Sequence, residues 1–155
     1  MKSVVYIGAF LTEESRAILL AAVPPLHFDV YAGHVTIVFR PEPEDLILFA
    51  DGREVELEVF EEVWDARGQA VAVRGVPSEN AHPHITISTT PETKPVYSNE
   101  LLSLMPKPPE SLTRLPFYRK KIDPSLKLTA VLDTFPRKHP RPVVVAQTKR
   151  GASNV

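Results

Sequence analysis

Two stretches of this chain, fifty residues apart, spell almost the same strand: "HVTIVFRPE" from His34 to Glu42 and "HITISTTPE" from His84 to Glu92. His34 matches His84, Thr36 matches Thr86, Ile37 matches Ile87, Pro41 matches Pro91 and Glu42 matches Glu92, with Val35 and Ile85 a conservative pair. Each copy is rich in β-branched residues and runs into proline, so each reads as a strand with a defined end. Side chains alternate along a strand, so His and Thr two positions apart share one face. Val35 and Ile37, or Ile85 and Ile87, then point the other way. Each copy thus anchors itself in a core with one face and offers an imidazole beside a hydroxyl on the other. A fold that brings the two copies to one cleft would converge two imidazoles and two hydroxyls.

The rest of the chain supplies a scaffold for such strands. "SVVYIGAFL" (3–11) reads as a buried strand, and Thr12 as the N-cap of a helix over "EESRAILLAAV" that Pro24 and Pro25 end. "EVELEVFEEVW" (54–64) alternates acid with apolar and reads as a half-wet strand, turning through "DARG" into "QAVAVRGV" as a hairpin. Ser98 is placed to cap a short helix, "NELLSLM", after the proline-rich loop 90–97. "LKLTAVLDTF" (126–135) reads as a late strand, with 111–118 as its partner. Helices scattered among hairpin-like strands predict an α+β domain with antiparallel sheet. At 155 residues the chain is expected to form one domain, over 1–135, followed by a flexible, basic, proline-rich tail over 136–155.

Composition narrows the function. There is no cysteine, which removes disulfides, a thiol nucleophile and thiolate metal sites. No apolar run is long enough to cross a membrane, and the start lacks a signal-peptide pattern. A cytoplasmic monomer without a membrane partner is the expectation. Net charge is near zero but unevenly spread: residues 42–65 hold ten acids against Arg53, while the chain from Lys94 onward turns basic. This reads either as a solvated acidic face with a basic tail or as a basic C-terminal half that faces an anionic ligand such as a nucleic-acid backbone.

Two imidazoles with two hydroxyls suit attack at a phosphodiester without metal. One neutral imidazole takes a proton from water or a hydroxyl, and the other, protonated, gives one to the departing ribose oxygen. The threonine hydroxyls can bond the non-bridging phosphate oxygens as the geometry at phosphorus changes. A zinc site would need three protein ligands, and His34, His82 and His84 have Pro83 between two of them and no nearby carboxylate at a familiar spacing. No metal and no cofactor is therefore expected.

The paired His-x-Thr motifs resemble those of the 2H phosphoesterase superfamily, which includes RNA-ligase-type (LigT-like) proteins and the cyclic phosphodiesterase domains of fungal and plant tRNA ligases. The resemblance covers about residues 3–135, with looser likeness in "VYIGAFLTEESRAIL", "KPVYSNELL" and "LKLTAVLDTF". It implies a two-lobed, pseudo-symmetric α+β fold of antiparallel sheets with flanking helices, each lobe donating one motif to a shared cleft. It implies an enzyme acting on 2′,3′-cyclic phosphates of RNA ends or nucleotides and leaving 2′-phosphates, with His34, Thr36, His84 and Thr86 catalytic. The family's commoner assignment makes His84 the base and His34 the acid, the roles exchanging when the reaction runs backward. The acidic hairpin and the basic tail have no counterpart in the resemblance, which leaves the natural substrate open. The alternatives are a phosphodiesterase that degrades small nucleotide messengers, such as 2′–5′ oligoadenylate or cyclic oligonucleotides, and a module that holds RNA ends without turnover.

Secondary candidates for substrate binding are Lys94 as a phosphate neutraliser, Tyr31 as a stacking surface for a base, and Ser98 and Asn99 as polar contacts. Each has a structural reading beside it: a solvated lysine, a core aromatic, a helix cap. His82 reads as a residue that orients His84 or as a surface group, Arg40 as a surface partner of Glu42 or a residue that reaches phosphate, and Trp64 as core. Tyr118 to Lys121 reads as a solvated aromatic and basic loop.

Overall fold

Thr12 marks the first change of structure. Its hydroxyl accepts the Ser15 amide at 3.1 Å, separating strand β1 (Tyr6–Leu11) from helix α1 (Glu13–Ala22) as N-capping requires. The computed structural model describes residues 4–104 and 116–136. Within them follow β2 (Asp29–Val30), β3 (His34–Phe39), α2 (Pro43–Phe49), β4 (Glu54–Asp65), β5 (Gly68–Arg74), β6 (His84–Thr89), α3 (Tyr97–Ser103) and β7 (Phe117–Phe135). Helix α2 has no counterpart among the sequence expectations. Pro43 opens it, where a missing N–H is no loss, and Asp45 Oδ2 accepts the Glu42 amide at 2.8 Å. Apart from Pro136, the expected tail lies outside the described residues, as does most of the expected strand 111–118. Its last two residues, Phe117 and Tyr118, begin β7 instead of pairing with it. Among the described residues no helix is long and apolar enough to cross a membrane.

All seven strands join one sheet in the order β2-β6-β3-β1-β7-β4-β5, and β5 also pairs with β6. Every pairing is antiparallel, so the chain closes into a barrel-like ring with a few helices. The expected α+β, antiparallel character holds. The division into two sheets implied by the resemblance does not appear in the hydrogen bonding, because β7 pairs with β1 on one side and β4 on the other.

One parity of each strand builds the core. Ile7, Ala9 and Leu11 of β1, Val35 and Ile37 of β3, Val71 and Val73 of β5, Ile85 and Ile87 of β6, and Leu128, Ala130 and Leu132 of β7 form a single buried cluster. Leu19 and Val23 from the region of α1 complete it. In β4 the parity changes. Val59 pairs with Val73 and belongs to that core, but Val63, four residues on, packs with Ala70 and Ala72 under Tyr97, Leu101 and Leu102 of α3. The cause is a bulge between Val59 and Glu61, where one extra residue on one strand turns the following side chains over. Helix α3 therefore covers the outer face of β4 and β5, beside the outer face of β6. Trp64, expected in the core, is half-buried and stacks on Tyr118 with ring centroids 5.5 Å apart.

The uneven charge of the sequence is absorbed in the same strands. On β4 and β7, Glu58 stands opposite Lys127, Glu61 opposite Lys121 and Glu62 opposite Lys120. Across to β5, Arg74 Nε meets Glu58 Oε1 at 2.9 Å. Opposite charges on facing positions support register, so much of the acidic segment meets the basic one within the sheet. The segment 118–121, expected as a loop, is strand paired with Glu61–Trp64 of β4.

Hydrogen bonds from Arg74 first, then from Ser125, hold the Glu58 carboxyl down from 4.5 to about 2. Its folded value lies below its unfolded one, so its contribution to stability is present above pH 4.5 and is lost as pH falls toward 2. Glu58→Gln is expected to flatten the melting-temperature curve across that acid window, more at low salt than at high salt. Identical acid limbs for both proteins would remove Glu58 from the acid transition.

Candidate active site

The two motif strands are neighbours in the ring, and Val35 pairs directly with Ile85. These are equivalent residues of the two copies, so the repeat pairs with itself about its own midpoint. The antiparallel register carried one step either way sets His34 across from Thr86 and Thr36 across from His84. Directly opposite residues stand about 4.5–5.5 Å apart at Cβ and diagonal ones about 7–8 Å. Val35 and Ile85 are fully buried on the core side, so His34, Thr36, His84 and Thr86 share the opposite, outer face. The structure thus brings the four expected side chains into one patch, and it does so through a single register.

Each imidazole has a distinct setting. His34 is half-buried and packs against two aromatic rings, Tyr6 at 4.9 Å and Phe10 at 5.4 Å between centroids. Tyr6, Gly8 and Phe10 occupy the outer parity of β1, and Gly8 pairs with Thr36. A Cβ at Gly8 would lie 3.1 Å from the Val35 carbonyl and 3.4 Å from the Phe10 ring, a tight fit that glycine avoids beside this cluster of rings. The first strand is buried as expected, at every position from Ile7 to Leu11, but its part in the site was not anticipated. The signal was present as two aromatics flanking a glycine at every second position.

His84 is 9% exposed, and its Nδ1 lies 2.8 Å from the His82 carbonyl oxygen. A carbonyl can only accept, so Nδ1 carries the proton and donates it. Nε2 is left with its lone pair. Burial lowers the pKa of His84 below the ordinary 6.5, outweighing the opposing pull of the His82 carbonyl. His82 does orient His84, through its backbone, while its own side chain is exposed.

The hydroxyls differ as well. Thr36 is half-buried. Thr86 Oγ1 lies 2.8 Å from Ser98 Oγ and 3.3 Å from the Pro95 carbonyl. Ser98 is not the expected cap: α3 begins at Tyr97 and Val96 is its N-cap. Its buried side chain reaches Thr86 instead. Lys94 is exposed in the turn just before Pro95, its carbonyl accepting the Tyr97 amide at 3.0 Å. Tyr31 is exposed; its amide donates to Ile87 at 2.8 Å, and Arg16 donates to its carbonyl at 2.8 and 3.2 Å. Asn99 is half-buried on α3, and nothing links its side chain to the motif residues. Arg40 lies over the Phe39 ring at 5.2 Å, not against Glu42.

A groove of about 540 Å³ opens one strand beyond His84. Phe60, Ala72 and Leu102 line it with Glu61, His82 and Arg119. Ala72 pairs with His84 across β5 and β6. Among the described residues no three His, Asp or Glu side chains gather in a way that could hold a metal ion.

Residues 34–120, from the first motif histidine through the second motif and α3, match the model of the fungal tRNA ligase phosphodiesterase domain. Among solved structures, the chain is similar to one described as the crystal structure of a fungal RNA kinase, with a TM-score of 0.59 at 15% identity. The likeness covers 85% of this chain and 46% of that one, so the chain spans less than half of that relative's length. At this identity the match speaks to the fold alone. No curated relative matches the chain.

The histidine geometry has a spectroscopic consequence. In ¹⁵N-labelled protein, His84 is expected to titrate below 6.5 and to hold the Nδ1–H tautomer at pH 7. A His84 ring that titrates at or above 6.5, or carries its proton on Nε2, would contradict the site described here.

Proposed function

Because this chain belongs to the family of fungal tRNA ligase phosphodiesterase domains, we propose that it is an enzyme that opens 2′,3′-cyclic phosphates at RNA ends or on nucleotides, using His84 as base and His34 as acid. The observation that carries this reading is the pairing of Val35 with Ile85, which sets both imidazole and hydroxyl couples on one face. Two groups on a diagonal of about 7–8 Å leave room for a phosphorus centre between them.

In this reading the cyclic phosphate lies over the four side chains. His84 Nε2 takes a proton from a water molecule as its oxygen attacks phosphorus. The bond from phosphorus to the ribose 3′ oxygen breaks, and His34 delivers a proton to that oxygen, leaving a 2′-phosphate. The desolvated, tautomer-fixed ring of His84 suits a base, since it stays neutral near pH 7 with Nε2 free. The aromatic faces of Tyr6 and Phe10 suit an imidazole that carries positive charge before the transfer. Thr36 and Thr86 donate to the non-bridging oxygens as charge builds there. When Ser98 donates to Thr86 Oγ1, the threonine hydroxyl keeps its own proton for phosphate, because the competing bond to the Pro95 carbonyl is long at 3.3 Å.

The pair that acts across one phosphorus is the local repeat itself. In this reading each of β3 and β6, which pair at equivalent residues, offers one histidine and one threonine to the phosphate.

With 2′,3′-cyclic AMP as substrate, phosphorus NMR is expected to show a 2′-monophosphate growing in, at the same rate in excess EDTA. His34→Ala and His84→Ala should each lower kcat by about 10²–10⁴-fold, and the double variant should fall little further than the worse single one. Absence of turnover of any cyclic phosphate by the intact protein, or full activity in both alanine variants, would overturn the assignment. The rate is further expected to trace a bell against pH whose acid limb belongs to His84 and lies below 6.5. An acid limb unchanged by His84→Ala would place the base elsewhere.

A further inference from the structure

The groove beyond His84 has no part in the acid and base chemistry, yet its placement and lining suit a ligand attached to the reacting phosphate. It lies in line with the motif side chains: Thr36 stands across from His84, His84 pairs with Ala72, and Ala72 pairs with Glu61. Strands lie about 4.8 Å apart, so Glu61 stands roughly 10 Å from His84, the scale on which a nucleoside extends from its phosphate. Its volume of about 540 Å³ falls in the range of small-molecule sites, roughly 300–1,000 Å³.

The polar groups in the groove select the kind of ligand. Arg119 gives Nη1 to Glu61 Oε1 at 2.8 Å and Nη2 to the carbonyls of Leu102 and Leu104 at 2.7 and 2.9 Å. Its charge is already answered by a carboxylate and two carbonyl dipoles, which makes it a poor seat for a second phosphate. Of the five donors on a guanidinium, about two remain free, and Glu61 keeps unused acceptor capacity. A fixed donor beside a fixed acceptor, over an apolar bed of Phe60, Ala72 and Leu102, matches the edge of a neutral heterocycle. Each nucleobase presents a hydrogen-bond donor next to an acceptor on its pairing edge; the Phe60 ring itself is covered by the Arg74 guanidinium, 4.3 Å from its centroid, so it contributes to the wall and not as a stacking face.

We propose that this groove is the subsite for the nucleobase of the nucleotide whose cyclic phosphate is opened, with Arg119 and Glu61 reading the base edge and Ala72 and Leu102 lining its apolar floor. The proposal rests on the phosphodiesterase reading for its substrate, but the groove can be tested by binding alone.

Two substrates separate base recognition from chemistry: adenosine 2′,3′-cyclic phosphate and the base-free 1-O-methylribose 2,3-cyclic phosphate. Arg119→Met is expected to cost roughly 10- to 100-fold in kcat/KM on the first, the value of losing charged hydrogen bonds, and to leave the second within about twofold of wild type. Since Arg119 also ties down the end of α3, Ala81→Trp serves as a second variant. It fills the groove from its exposed rim without touching that anchor, and the same selective loss is expected. Equal losses on both substrates, or none on either, would overturn the subsite. A wild-type protein that turns over neither substrate would defeat the phosphodiesterase reading instead. The groove would then be judged by titrating 2′-AMP and ribose 2-phosphate into ¹⁵N-labelled protein. Shifts at Ala72, Leu102 and the Arg119 side chain with 2′-AMP only would support the subsite, and shifts there with both ligands or neither would refute it.

Discussion

The site depends on one antiparallel pairing, Val35 against Ile85. The side-chain period of a strand is two, so a slip of one residue would send His34 and Thr36 into the core and bring Val35 and Ile37 to the surface. The two copies hold one another in place because both bury their branched residues on the same side. Val35, Ile85 and Ile87 are fully buried and Ile37 nearly so. The hydrophobic core is thus what aims the polar side chains outward, and the same four apolar residues serve packing and alignment at once.

Around that pairing the surroundings divide the two imidazoles. His34 meets aromatic rings from β1, and His84 is desolvated and held by the carbonyl of His82. Chemically identical groups on a symmetric pair of strands therefore sit in unlike environments. Unlike settings push the protonation behaviour of paired titratable groups apart. Thr86 is likewise distinguished from Thr36 by the buried hydroxyl of Ser98.

The β4 bulge links the scaffold to the site. By turning Val63 outward while Val59 stays inward, it creates a second apolar face on which α3 docks. That docking places Ser98 against Thr86 and sets the carbonyls of Leu102 and Leu104 around Arg119. The pairing of acidic β4 with basic β7 sets opposite charges on facing positions, which supports the register of this region.

Much of this was legible in the residues. The repeated His-x-Thr pattern, its alternation and its proline ends predict two strands with matching wet faces, and both strands form, over His34–Phe39 and His84–Thr89, each ending before its proline. The cap at Thr12, the acidic hairpin and the late strand follow from local chemistry, since capping, alternation and turn residues act within a few positions of themselves. What the sequence could not supply were relations between distant segments: which strands adjoin, that the ring closes in one sheet, that Tyr6 and Phe10 embrace His34, that Ser98 serves Thr86 and not a helix end, and that Lys120 and Lys121 face acids. Local pattern determines which side of a strand a residue occupies. Only the tertiary pairing decides what stands across from it, because register is set by the packing of every buried face at once.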